Sequence, residues 1–301
     1  MSTAIHDIGY RHYEGPRLGR AHVVRALYQY NLRGVFGLGR GARAKVLPFA
    51  LVALMLLPAA GNIAVLSFVK RPEALIGYQA YVIFLQPVIA IFLAAQAPVI
   101  ASRDLRFRTV PLYFSRPVRV RDFVLAKFAA FTTALLLLMA VPVTLLHLGF
   151  LSMRGSMIDS GAEDVPSLAG QTGHYLGALA GCLLFALVLA SFALVVAAFT
   201  PRRGFGVAAV MAVYLISNVV VLIIQGVGIS TGHYDLAGWA NLFTPFGLVD
   251  GVQIRLLDAD IATRGEGVPP AGSGPVFLLG CLAVIGGSLA LLLRRFRKAG
   301  A

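Results

Sequence analysis

The chain has 301 residues, of which 58% are hydrophobic and only 13% charged, about half the charged share of an ordinary globular protein. So few charges cannot coat so much apolar surface, and a soluble fold is excluded. The balance of 26 Lys and Arg against 13 Asp and Glu gives +13; in a membrane protein such an excess sets topology, so it does not point to nucleic acid.

Residues 17–33 come first. Val23, Ala26, Leu27 and Tyr30 fall on one helical face while Arg25 and Arg33 point elsewhere, which predicts a basic amphipathic helix lying in the membrane interface. Gly37, Gly39 and Gly41 read as a flexible link to the first span. The first apolar run starts near residue 46, behind this Arg-rich segment, so a cleavable signal peptide is not expected. The tail is taken as residues 1–45 and the transmembrane domain as 46–301.

Six apolar stretches are long enough for helices that cross a bilayer, which takes ~20 residues: about 46–69, 80–101, 123–150, 173–199, 205–229 and 276–293. Helices are expected because lipid leaves an open strand unsatisfied. Their polar content is mostly amides and hydroxyls. Asn62, Gln86, Gln96, Ser217, Asn218 and Gln225 are candidates to line a path for an amphipathic or lipid-like substrate; the plainer reading is hydrogen-bond glue between helices. Glycines at 173, 177 and 181 predict a groove that lets another helix approach closely.

Between the second and third spans, residues 102–122 alternate arginines with apolar and aromatic residues. Arg103, Asp104, Arg106, Arg108, Leu112, Tyr113, Phe114 and Arg116 form a candidate docking element, because Arg and aromatics on a solvated surface mark partner interfaces. Residues 151–172 read as a solvated loop. Residues 236–257 are too apolar for a free loop and are broken at Pro245 and Gly247, which predicts two half-helices dipping back into the bundle. The fold class is therefore an all-α polytopic membrane protein with six transmembrane helices, an N-terminal amphipathic interfacial helix and re-entrant half-helices before the last span.

Six crossings put both termini on one side. That side collects 21 basic and four acidic residues, the other five basic and nine acidic, so the termini are expected in the cytoplasm and the chain in the cell membrane. No Gly-x-x-x-x-Gly-Lys-Ser/Thr, His-Glu-x-x-His or Gly-x-Ser-x-Gly pattern occurs, so neither ATP binding nor hydrolytic catalysis is expected. His147 and His174 sit at outer helix ends and read as interfacial. Carboxylates within the spans, which an ion-coupled transporter usually needs, are nearly absent.

Arg103-Asp104, Pro111-Leu112, Ser115-Arg116-Pro117, Arg119 and Lys127, with the six-span layout, the N-terminal elbow and the broken segment before the last span, resemble the ABC-2-type permeases, the membrane subunits of ATP-driven exporters. The family's glycine-threonine step is here Arg108-Thr109. The resemblance implies pairing with a second six-span permease, identical or sibling, and with two cytoplasmic ABC ATPase subunits. It makes 102–116 the coupling element that sits in an ATPase groove, and it places ATP and Mg on that partner, with no cofactor in this chain. The rival classes are a passive channel, a membrane scaffold or a polytopic lipid-modifying enzyme.

Overall fold

The computed structural model describes residue 15 and residues 18–69, 76–114, 118–159, 165–200, 202–259 and 267–300. Among these residues there is helix and no strand. The amphipathic segment forms α1 (Arg20–Val35). A turn with Gly37 and Gly39 at φ 67° and 82°, left-handed values that glycine adopts freely, reverses the chain into α2 (Arg43–Val69). The second span is interrupted: α3 (Ala80–Phe84) stops at Leu85, and Pro87 starts the next helix, α4 (Gln86–Ile100). Two five-residue helices follow, α5 (Ser102–Arg106) and α6 (Val110–Phe114). The long spans α7 (Val120–Asp159), α8 (Leu168–Phe199) and α9 (Arg203–Ser230) come next. Then come α10 (Tyr234–Trp239), a 3-10 turn (Ala240–Phe243), α11 (Pro245–Leu256) and the last span, α12 (Gly274–Gly300).

Six of these helices are long and apolar enough to cross a membrane, and the protein is an all-α polytopic membrane protein. The spans around α4, α7 and α8 form the inner layer, with 61%, 56% and 61% of their apolar windows buried, against 28%, 11% and 17% for α2, α9 and α12. The peripheral helices therefore offer their apolar faces to lipid or to another membrane protein. At 40 residues, α7 is about 60 Å long, twice the ~30 Å hydrocarbon core, so it projects well past the bilayer.

Two expectations need correction. The stretch 151–172 is not a loop throughout: α7 continues to Asp159 and α8 begins at Leu168, capped by Ser167. On α1, the packed stripe is Val24, Leu27, Tyr28, Asn31 and Val35, while Ala26 and Tyr30 are exposed. The helix lies against α7 and α4, with Leu27, Asn31 and Val35 inward.

The broken segment is re-entrant as expected. It turns back along α9, where Asn241 accepts from Gln225 at 3.4 Å and Ala237 packs on Gly228. Thr244 caps α11, its hydroxyl accepting from the Gly247 amide at 2.7 Å. Next to that cap, Phe246 meets Phe185 and Tyr214 at 6.0 and 5.9 Å between ring centroids, and both partners lie near the middle of their own helices. From there α11 climbs along α8 until the Leu257 carbonyl faces Gly177 and accepts from Gln79 at 2.7 Å. The glycine groove of α8 is thus filled from within the chain at Gly177 and Gly181 and left open at Gly173.

Candidate functional site

The end of the bundle that carries α1 and the close of α12 is basic, and the short helices α5 and α6 form its elbow. The elbow is anchored rather than loose. Directly after the break that ends α4, the Ser102 hydroxyl donates to the Ala197 carbonyl at 2.6 Å and tethers the start of α5 to the end of α8. Asp104 turns inward and is buried. Its Oδ2 lies 2.5 Å from Lys127 Nζ, and the same ammonium donates to the Ile100 carbonyl at 2.5 Å and sits 4.8 Å over the Phe123 ring. A buried lysine needs such a set: its charge is tolerated only when paired and hydrogen-bonded. Thr109 closes the turn, its amide donating to the Asp104 carbonyl at 3.1 Å.

Phe123 is the hub of the elbow. Tyr113, Phe114 and Phe296 pack on it at 5.0, 5.8 and 5.5 Å between centroids. Burial pushes the Tyr113 phenol above its ordinary pKa, so this ring stays neutral. Tyr113 and Phe114, expected on the outer surface, are half-buried and seat α6 on α7 and α12. The apolar side chains that do face outward are Leu112, 69% exposed, and Phe107, 64% exposed, with Arg106 and Arg108 beside them. Arg103 donates to the Tyr30 hydroxyl at 2.5 Å and so ties α5 to α1. Arg116 lies outside the described residues.

α1 is fastened to the same hub. Arg20 donates to both oxygens of Asp122, at 2.6 and 2.5 Å, and Tyr28 donates to Thr133 at 3.1 Å. From the other side, the Arg295 guanidinium stands 5.7 Å over Phe199. One compact end therefore joins α1, α5, α6, the start of α7, the close of α8 and the close of α12. Phe123 and Tyr30 join the site without having been expected there, and Lys127, Thr109 and Phe107, which lie in the family pattern or in the 102–116 element, gain individual roles. The signal for Lys127 was present, since a lysine inside the apolar run Val124–Phe128 requires a carboxylate, and Asp104 is the nearest one outside its own helix.

The six polar span residues do not converge through hydrogen bonds. Asn62 is buried and donates to the Ile76 carbonyl at 3.0 Å. Ser217 and Asn218 donate back to the Tyr214 carbonyl of their own helix, at 3.0 and 2.8 Å. Gln225 pairs with Asn241. None of these bonds joins two of the six. Gln96 is buried in α4, and Gln86 is half-buried where that helix starts. His147, expected at an outer helix end, lies twelve residues before the close of α7, is buried and stacks on Tyr175 at 4.2 Å, whereas His174 is exposed. No group of three or more His, Cys, Asp or Glu able to hold a metal occurs among the described residues.

No known family model matches the chain, and comparison with the curated proteins finds no match.

Proposed function

We propose that this chain is the membrane-spanning permease subunit of an ATP-driven exporter of the ABC-2 type. It works beside a second six-span permease and above two cytoplasmic ABC ATPase subunits that carry ATP and Mg. The observation that carries this reading is the elbow. It presents Phe107, Leu112, Arg106 and Arg108 outward, while Asp104, Tyr113 and Phe114 lock it to α7 and α12. A push on such a surface is transmitted to the spans, because the packed and ion-paired contacts beneath it leave no slack. A loop that served topology alone would need no buried ion pair.

Position 108 supports the resemblance. Arg108 has φ 51°, a left-handed value that glycine adopts without cost, so the turn here is one that a glycine, as in the family pattern, would fit. The basic end faces the cytoplasm of the cell membrane in this reading, following the 21-to-four charge split. The exposed faces of α2, α9 and α12 meet lipid and the second permease. Gln86 and Gln96 are the path residues in this reading; Asn62 and Gln225 bind one segment to another, and Ser217 and Asn218 bond within their own helix.

The experiment is purification of the chain from its own membranes. An ATPase subunit with a Gly-x-x-x-x-Gly-Lys-Ser/Thr loop should come with it, and Phe107→Ala with Leu112→Ala should release that subunit. Removing buried aromatic or aliphatic anchors costs ~2 kcal/mol or more, roughly thirtyfold in affinity. Cysteines placed at 106–108 should be silent to an impermeant reagent added outside, and those at the exposed positions 155, 156, 158 and 159 should react. A chain that purifies with no ATPase, or reversed labelling, overturns the reading.

A further inference from the structure

A second feature of the basic end lies beside the elbow. Between the residues that lead into α7 and the close of α12 runs an open groove of about 600 Å³. One wall is apolar, made by Phe114, Val118 and Val120; Arg119, Arg121 and Arg297 line the rest. Three guanidiniums around one groove repel each other unless an anion joins them. Among the described residues of this end the carboxylates are already engaged. Asp104 holds Lys127, and Asp122 takes hydrogen bonds from Arg20 on both oxygens and acts on Arg119 only as a weaker, through-space charge.

Depth identifies the anion. The apolar run of α12 ends at Leu293, and Arg297 lies one turn further. Arg121 lies two residues before Phe123, where the apolar run of α7 starts, about 3 Å along the helix. The headgroup layer adds ~5–7 Å to each side of the hydrocarbon core, so the groove sits at headgroup level, just past the ends of two spans. Arginine matches a phosphodiester with paired N–H donors, and basic pockets between span ends hold acidic headgroups. The apolar wall suits the glycerol backbone and first methylenes of the same molecule, which a soluble anion or an acidic peptide would leave unused. We propose that this groove is a binding site for the headgroup of an anionic phospholipid. The proposal is independent of the exporter reading, since it needs no ATPase.

The test uses the full chain in mixed micelles of phosphatidylcholine and phosphatidylglycerol, with retained lipids counted by native mass spectrometry. The wild-type chain should keep phosphatidylglycerol in preference to phosphatidylcholine. Each juxtamembrane arginine contributes roughly fivefold, so the triple variant Arg119→Gln, Arg121→Gln, Arg297→Gln should lose on the order of a hundredfold of that preference. Arg25→Gln with Arg33→Gln, on α1, removes charge from the same end away from the groove and should leave the preference in place. Circular dichroism and a single monodisperse peak certify that each variant is folded. Excess glycerol 1-phosphate should fail to displace the lipid. Equal retention of the two lipids by the wild-type chain overturns the proposal. So does a triple variant that keeps the preference, a control that loses it as fully, or displacement by the soluble phosphate.

Discussion

The two ends of the bundle solve the same problem by opposite means. At the basic end, short helices are held on the spans by charge and aromatic rings: Asp104 with Lys127, Arg20 with Asp122, and three rings on Phe123. At the other end, where Phe246 and Trp239 also pack on rings and Arg255 donates to the Pro269 carbonyl, short helices are held chiefly by close approach. Gly251 lets Phe277 lie against α11, Gly181 lets Gln253 lie against α8, and Gly238 meets the Val268 carbonyl. Ion pairs fix direction and register; glycine contacts fix distance. The first suits an element that must pass on a push, the second an element that must fill space. The ends also differ in polar accounting. Buried Lys127 donates to Asp104 and to the Ile100 carbonyl, whereas Gln253 is completely buried and neither its amide nitrogen nor its amide oxygen has a hydrogen-bond partner.

The sharpest way to break this contrast is Asp104→Asn. It leaves the Lys127 ammonium buried without a counter-charge, and breaking one side of a buried pair costs ~3–5 kcal/mol. Thermal unfolding in detergent should show the loss. Combining Asp104→Asn with Lys127→Met removes the charge as well as its partner and should recover most of the stability. If the single variant unfolds like the wild-type chain, the basic end is not held by charge.

The glycine contacts predict a graded series at the other end. An added Cβ at Gly181 runs into the side chain of Gln253, which is enclosed and cannot swing away, so Gly181→Ala should cost ~1–3 kcal/mol by overpacking. At Gly177 the same Cβ meets the Gln79 amide nitrogen at 3.0 Å and the Leu257 carbonyl at 3.3 Å, and a small shift accommodates it. At Gly173 nothing lies within 4 Å, and alanine should be neutral or slightly stabilising. Equal melting temperatures across the three variants would show that α11 does not rest on α8.

Gln253→Met keeps the volume and removes the orphan amide. Leaving a buried polar group unsatisfied costs ~1–3 kcal/mol, so this variant should melt higher. It should also soften Gly181→Ala, and a double-mutant cycle reads that coupling directly. A drop in melting temperature would mean that the amide has a bonding role that this conformation does not display.

These cases mark what the residue pattern made legible. The spans followed from apolar length, and the break at Pro245 announced the re-entrant pair, because both rest on local chemistry. The identity of contacts did not. Gly173, Gly177 and Gly181 are equivalent by spacing, yet only the last two meet other elements, since that depends on where α11 returns. Likewise Tyr113 and Phe114 look like surface anchors beside six arginines, but a half-turn of α6 decides which side chains face Phe123. Asp104 was picked out by its neighbours, and Lys127 by its place in the family pattern; their pairing across 23 residues is a tertiary fact.

The smallest effect is expected at Arg108. A side chain in the left-handed region costs on the order of 1 kcal/mol or slightly more, and Arg108 at φ 51° sits at the turn between α5 and α6. Arg108→Gly removes that strain but also frees the unfolded chain, which returns roughly 0.4–1 kcal/mol. The net change in stability should therefore be near zero or a gain of a few tenths of a kcal/mol, small against the loss at Asp104. Its value lies in separating backbone from charge. If the turn matters to the ATPase contact only through its conformation, Arg108→Gly leaves binding intact, while Arg108→Ala keeps the strain and removes the same charge. Binding lost equally in both variants would place Arg108 at the contact as a cation. Binding kept in both variants would show that the contact draws on the conformation of the turn and not on its charge.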